Sequence, residues 1–260
     1  MKGSVFPSGG APGGVPPRHI SGINRSRKMN NKYEFTNETK TVGDAVLHRI
    51  RAIRDIHLAG EVVEAGSLGG WLEGEGNLAQ VGDAWVFGHA RVFGHAHISG
   101  DAVVSGRAEI SGDSQVSGTA EIADEARVYG SAQVGGAAKV GGTAEVYGSA
   151  RVSGMAEVGG RAKVSGQAVV TDTAVIDGRV HISGSARVGD DADFVGYKNP
   201  TGERGLRWLT YTRSDGMWQY DGFRGSAAEL IAMASATGER FERTVRVILR
   251  SQEELDKLLI

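Results

Sequence analysis

The sequence contains no cysteine, so neither a disulfide framework nor a thiolate metal site is available to it. Prolines number five in 260 residues, and four of them fall within the first 28. Aromatic residues make up only 7%, far from the composition of an average globular core. No segment approaches the ~20 consecutive apolar residues of a membrane span, so no membrane partner is expected. Excess charge is missing too: a net charge of -2 and a pI near 6.4 give no general attraction to nucleic acid or anionic lipid. Glycine is what the chain has in abundance, with 40 residues, and that surplus points to a repetitive architecture governed by the backbone.

The glycines recur. From Ala84 to Tyr197 the chain reads Ala-x-Val-x-Gly-x without interruption, nineteen hexads in all. The first position is Ala throughout, except at Ser114 and Val180. The third is β-branched from Val86 to Val188 and then Phe194. Residues two apart on a strand share a face, so Ala and Val point inward and the residue between them points out. The fifth position is glycine, replaced only by Asp124, Asp172 and Asp190. Glycine and aspartate both tolerate φ > 0, which identifies a left-handed corner at each of these sites. Three strands and three corners close a triangular coil, the mark of a hexapeptide β-helix. The predicted fold is therefore all-β: a left-handed parallel β-helix of three hexads, 18 residues, per coil.

The outward residues test that coil length. Stepping by 18 from Arg91 gives Glu109, Arg127, Glu145, Lys163 and His181, with charge sign alternating, and a second series reads Glu121, Lys139, Glu157. Opposite charges on neighbouring strands about 4.8 Å apart stabilise, while like charges destabilise. The same step stacks Tyr129 on Tyr147, in a column with Phe93, Ser111, Ser165 and Ser183.

The flanks differ from the repeat. Residues 1–28 are rich in glycine and proline, basic, and lack the apolar run of a signal peptide, so a disordered tail is expected. Met29 opens MNNKYEF and is expected to be the natural start. Residues 29–83 are predicted to form N-terminal strands and a capping coil, with strands at Lys32–Thr36 and Leu47–Ile56. The Leu47, Ile50, Ile53, Ile56 spacing also permits helix. Trp71 and Trp85 are candidates to cover the open end, since a repeat array needs atypical terminal units. Residues 198–260 are predicted as a small α+β cap. It opens with a loop at Lys198–Gly202, and the strands Arg207–Thr212 and Met217–Tyr220 turn at Ser214-Asp215-Gly216. A helix capped by Ser226 and Glu229 follows, then one at Phe241–Leu249 and a third or a continuation at Gln252–Leu259. The Trp208, Tyr211, Trp218, Tyr220 and Phe223 cluster is expected to form the core of this cap.

With repeat and flanks laid out, the chain resembles the left-handed β-helix, hexapeptide-repeat superfamily, and more narrowly the YdcK-like proteins of bacteria and prophages. The narrower likeness rests on KYEFTNETK from Lys32, LHRIRAIRDI from Leu47, AGSLGGWLEGEGNLAQVGDAWVFG from Ala65, and the C-terminal WLTYTRSDGMW, GFRGSAAELI and ERFERTVRVI. Members are described as acyltransferases or polymer-forming proteins. The resemblance implies a homotrimer in the cytoplasm, or in a phage particle. It also implies, for the enzymes, an intersubunit groove with a general-base histidine and a projecting loop that binds acyl-CoA.

That loop has no counterpart here, because the nineteen hexads carry no insertion. A base without a walled pocket positions nothing and gives little catalysis. His89, His95 and His97 lie within two hexads, with His57 upstream and His181 far downstream. His89 and His95 hold the same repeat position on successive faces, so their side chains diverge and no metal site is expected. The three histidines become catalytic candidates only as a trimeric acyltransferase using acyl-CoA. Asp124, Asp172 and Asp190 are explained as corners rather than calcium ligands, and the glycine spacing lacks the following helix of a phosphate loop. Phe87, Phe93, Tyr129 and Tyr147 project outward as a candidate interface, with cross-coil stacking within one chain as the other reading. The favoured function is a non-catalytic, self-associating scaffold, trimeric by preference and without a cofactor, whose C-terminal cap recognises a protein partner.

Overall fold

A computed structural model describes residues 32–198 and 208–258. The expected disorder of residues 1–28 and most of the loop expected at Lys198–Gly202 lie outside these. The protein is a left-handed parallel β-helix closed at its C-terminal end by a small α+β cap. Strands β1 (Tyr33–Val42) and β2 (Ala45–Ala52) form a hairpin, β3 (Ile56–Leu58) and β4 (Glu61–Val63) a second one, and β5 (Leu68–Leu72) begins the first coil. The helical spacing at Leu47–Ile56 is overridden: Leu47 and Ile50 are both buried, but on the extended β2. From Trp85–Val86 to Arg187–Val188 every hexad contributes one two-residue strand, β6 to β23 in order. They stack into a nine-stranded sheet that begins with β1 and β2, and two six-stranded sheets.

The stacking step is 18 residues, as in Glu109 beside Arg127 and Gln115 beside Gln133. The first coil is longer: Trp71 pairs with Arg91 and Leu78 with Ile98, while Trp85 already pairs with Val103. The two additional residues therefore lie between Leu78 and Trp85. Every Ala and Val of the inward positions described from Ala84 to Val188 is buried, forming one continuous core. Ser114 stands in an alanine position because its hydroxyl donates to the Ser111 carbonyl 2.8 Å away, leaving no buried donor unpaired.

The corners pack backbone on backbone. Gly118 has φ of 70°, and a Cβ there would lie 2.6 Å from the Gly136 carbonyl oxygen of the next coil. Asp124 and Asp172 take the same conformation, with φ of 58° and 54°. Asp124 adds a bond of its own, since its carboxylate accepts from the Gly142 amide at 2.8 Å. Asp190 departs from the expected corner. Its φ is -146°, and its side chain caps a short 3-10 turn, Asp191–Asp193, by accepting from the Ala192 amide. The coil ends there, earlier than the repeat. Phe194–Lys198 forms β24, which pairs antiparallel with β25 (Trp208–Thr212), followed by β26 (Met217–Tyr220) and β27 (Phe223–Gly225).

Each end of the helix meets a complementary cap. Along the coils the amides of outward residues donate forward, as Trp85 does to the Ala102 carbonyl, so the first coil is left with carbonyls and the last with amides. At the first coil the buried Lys32 ammonium donates to the Ala84 carbonyl at 2.6 Å, and the Tyr33 hydroxyl to that of Leu78 at 3.1 Å. Burial first, then Arg54, lowers the Lys32 pKa to about 8, against the opposing pull of Asp83 and Asp101. At the last coil the amides of Val175, Arg187 and Gly189 donate to Asp191, Ser214 and Asp193. Trp85 is fully buried among the N-terminal plug residues, but Trp71 does not cover the end. It sits half-buried on the outer face, with the Lys40 ammonium 4.3 Å above its ring.

The cap carries its own core of Leu209, Trp218, Tyr220, Leu230, Ala234, Phe241, Val245 and Leu249, with Tyr211 and Phe223 packed against it. Trp208 belongs elsewhere: it packs on the β-helix core, over corner residue Gly178. Helix α1 (Ala227–Thr237) starts at Ser226, whose hydroxyl accepts from the Glu229 amide while the Glu229 carboxylate accepts from the Ser226 amide. Helix α2 runs unbroken from Glu239 to Leu258, so the segment after Gln252 is a continuation. The buried stripe Phe241, Val245, Leu249, Gln252 keeps helical spacing across Ser251, which explains the continuity.

If corner contact limits the fold, Gly118→Ala lowers stability by about 1–3 kcal/mol, because the methyl meets fixed backbone in a strained conformation. Asp124→Gly relieves strain and loses one hydrogen bond, for a change within about 1 kcal/mol. Urea unfolding of the two variants checks this, and a Gly118→Ala protein as stable as the parent refutes it.

Candidate functional site

The nine-stranded face carries the chemistry, and its outward side chains stand in columns because consecutive coils are in register. Arg91, Glu109, Arg127, Glu145, Lys163 and His181 are successive partners. Arg91 and Glu109 meet at 2.8 Å, Lys163 and Glu145 at 3.2 Å. Exposed pairs of this kind contribute about 0–1 kcal/mol each, so the alternation specifies register more than it stabilises. The column Glu121, Lys139, Glu157 is likewise stacked. An open groove of about 350 Å³ runs along the charged face, lined by both signs, among them Arg107, Glu125, Arg127, Glu145 and Arg161.

Of the four aromatic interface candidates, the structure brings only two together. Tyr129 and Tyr147 stack with centroids 5.0 Å apart and planes 2° from parallel. The Tyr129 hydroxyl donates to Glu145 at 3.1 Å. Burial and then the Glu145 charge push its pKa up to about 12. Phe93 is on the same face but separated from them by Ser111, and Phe87 lies on another face against the core. All four are half-buried.

The candidate histidines do not converge. His95 is exposed, its Nδ1 3.1 Å from the Asp113 carboxylate, so its Nε2 is left to solvent. His97 donates from Nδ1 to the Gly76 carbonyl at 2.7 Å, which ties it to the first coil. His89 lines a small groove of about 230 Å³ with Lys40, Arg91 and Arg107. Lys40 is lowered to about 8 by burial, then by the Arg91 and Arg49 charges. Among the described residues no three His, Asp or Glu side chains gather as metal ligands.

The most constrained histidine is one that the sequence marked only as the end of a charge column. His181 lies where the β-helix meets the cap: its Nε2 is 2.8 Å from the Ser165 hydroxyl and its Nδ1 2.6 Å from the Gln219 amide nitrogen. The Ser183 hydroxyl donates to Gln219 Oε1, so the Gln219 N–H faces His181 Nδ1. With Nδ1 accepting, the neutral ring carries its proton on Nε2 and donates to Ser165. Nε2 therefore has no lone pair with which to take a proton from that hydroxyl, and the trio is a connector rather than a nucleophile and base. Burial, reinforced by Lys163 and opposed by Glu145, lowers the His181 pKa from 6.5 to about 4.

No protein-family model matches the chain, and no curated protein matches it. Among the described residues no helix is long and apolar enough to cross a membrane.

The unfolded chain takes up a proton at His181 near pH 6.5, whereas the folded chain does so only near pH 4. The stability of the cap junction is thus fully present above about pH 6.5 and is lost as pH falls between those values, by up to about 3 kcal/mol. Urea unfolding from pH 7 to pH 4, comparing the parent with His181→Gln, reads the difference: the variant should lack this component of the slope.

Proposed function

We propose that the chain is a non-catalytic scaffold, a rigid β-helix that associates with copies of itself and presents its α+β cap to a protein partner. The observation that carries this reading is continuity. From Trp85 to Val188 each strand passes to the next through one corner, and no loop leaves the coils to wall off a substrate. The grooves on its faces are open, and water-filled grooves give little of the positioning or electrostatic gain that catalysis requires. The cap supports the partner-recognition role because its core is its own and its long helix leaves Val247 and Leu255 exposed. The trimeric state, the cytoplasmic or phage location and the YdcK-like kinship are carried by the sequence resemblance.

One observation favours the second reading, a homotrimeric acyltransferase using acyl-CoA. The contact between Asp113 and His95 Nδ1 is the arrangement that orients a general base, and a neighbouring subunit could complete the site around His89, His95 and His97.

Light scattering and acyl-CoA titration separate the readings. The scaffold reading expects a defined oligomer and no acyl-CoA binding that depends on His95, so that His95→Ala changes neither. Saturable acyl-CoA binding that is lost in His95→Ala overturns it, and a monomer at all concentrations removes both the self-association and the intersubunit site.

A further inference from the structure

The charge alternation of the nine-stranded face breaks at its N-terminal end. Continuing the Arg91, Glu109, Arg127 column backwards, the strand before Arg91 should offer an acid, but β5 places Trp71 there and β2 places Arg49 beyond it. Arg49 and Lys40 both lie over the Trp71 ring, at 5.9 and 4.3 Å from its centroid. His89, two residues before Arg91 in the same coil, and Arg107, one coil further on, stand alongside it. The result is a cavity of about 230 Å³ lined by Lys40, His89, Arg91 and Arg107, with no carboxylate in its wall among the described residues.

The nearest acids are engaged at the rim: Glu38 with Arg49 at 2.9 Å, Glu109 with Arg91 at 2.8 Å, and Glu125 with Arg107 at 3.9 Å. Lys40 has no carboxylate partner among the described residues. Burial first, and then the Arg91 and Arg49 charges, lower the Lys40 pKa, so an anion seated beside its ammonium would be favoured there.

We propose that this cup is a binding site for a small phosphoryl anion, the phosphate or diphosphate end of a small molecule. Lys40 supplies a point charge with no carboxylate contact, the exposed Arg107, held only at 3.9 Å by Glu125, can turn its guanidinium fork to two phosphoryl oxygens, Arg91 adds charge beside its Glu109 contact, and His89 adds a ring donor. Size favours the charged end of a ligand over a whole one, since sites for drug-sized molecules run to about 300–1,000 Å³. A longer polyanion does not fit: Glu109, Glu125 and Glu145 interrupt the positive surface in the coils that follow. The site stands apart from the self-association proposed above and does not depend on it.

The full-length chain is titrated at low ionic strength with inorganic phosphate and with pyrophosphate, by calorimetry and by following histidine ring signals in NMR. The expected result is saturable one-site binding, tighter for pyrophosphate, that shifts the His89 ring signals and leaves those of His95 unmoved. Lys40→Gln and Arg107→Gln each weaken binding about tenfold, whereas Arg151→Gln, on another face, leaves it unchanged. Because Arg107 is exposed on the helix surface, its variant keeps the fold even if Lys40→Gln disturbs the Trp71 contact. Absence of saturable binding, or equal weakening by Arg151→Gln, overturns the site.

Discussion

The close approach of one corner to the next governs this molecule. A coil can rise by a single strand spacing only if three corners per turn stack backbone on backbone, and at Gly118 the space for even a methyl group is already occupied by the Gly136 carbonyl. The positive φ there asks for glycine, and the contact asks for it a second time. Aspartate enters at positions 124 and 172 because it tolerates the conformation, and at 124 it reaches the amide of the following coil. Register, the alanine and valine core, and the charge columns are consequences. Once corners stack, every inward side chain must share a narrow triangle, and every outward one must face its counterpart 18 residues away.

A stack of this kind has two chemically different ends, and the protein treats them differently. The first coil presents carbonyls and receives donors, Lys32 and Tyr33, while the last presents amides and receives the carboxylates and hydroxyl of Asp191, Asp193 and Ser214. Both caps also plug the apolar core, the N-terminal one through Ile50 and Trp85, the C-terminal one through Trp208. An open sheet edge invites further strands, and these contacts satisfy backbone groups at both ends of the stack.

The faces inherit the uniformity of the repeat, and departures from it carry the functional readings. Trp71 in place of an acid concentrates cations at one end of the charged face. His181, coming last in the same column, is drawn out of water by the cap and gives up its charge. Neither residue differs from its neighbours in repeat position. What differs is what the flanking segments set beside them: β1 and β2 in one case, Gln219 of β26 in the other.

The repeat was legible from residue types alone, because a six-residue period with glycine corners leaves the backbone few alternatives, and the 18-residue coil could be read from the alternating charge signs. The two-tyrosine stack and the Ser226 cap were legible for the same local reason. Three things were not. The hexad pattern continues through Tyr197, but the coil stops at Asp190, where pairing with β25 outcompetes one more turn. Trp71 and Trp208 left their expected places, one lying half-buried beneath Lys40 on the outer face and one sealing the β-helix core, as their partners lie in other segments. The cation cup joins Lys40 to Arg107 across strands distant in sequence. Sequence determined the coil, since its rules act between neighbours and at a constant step; tertiary structure decided the ends and the sites, since there the constant step fails and contacts depend on where unlike segments dock.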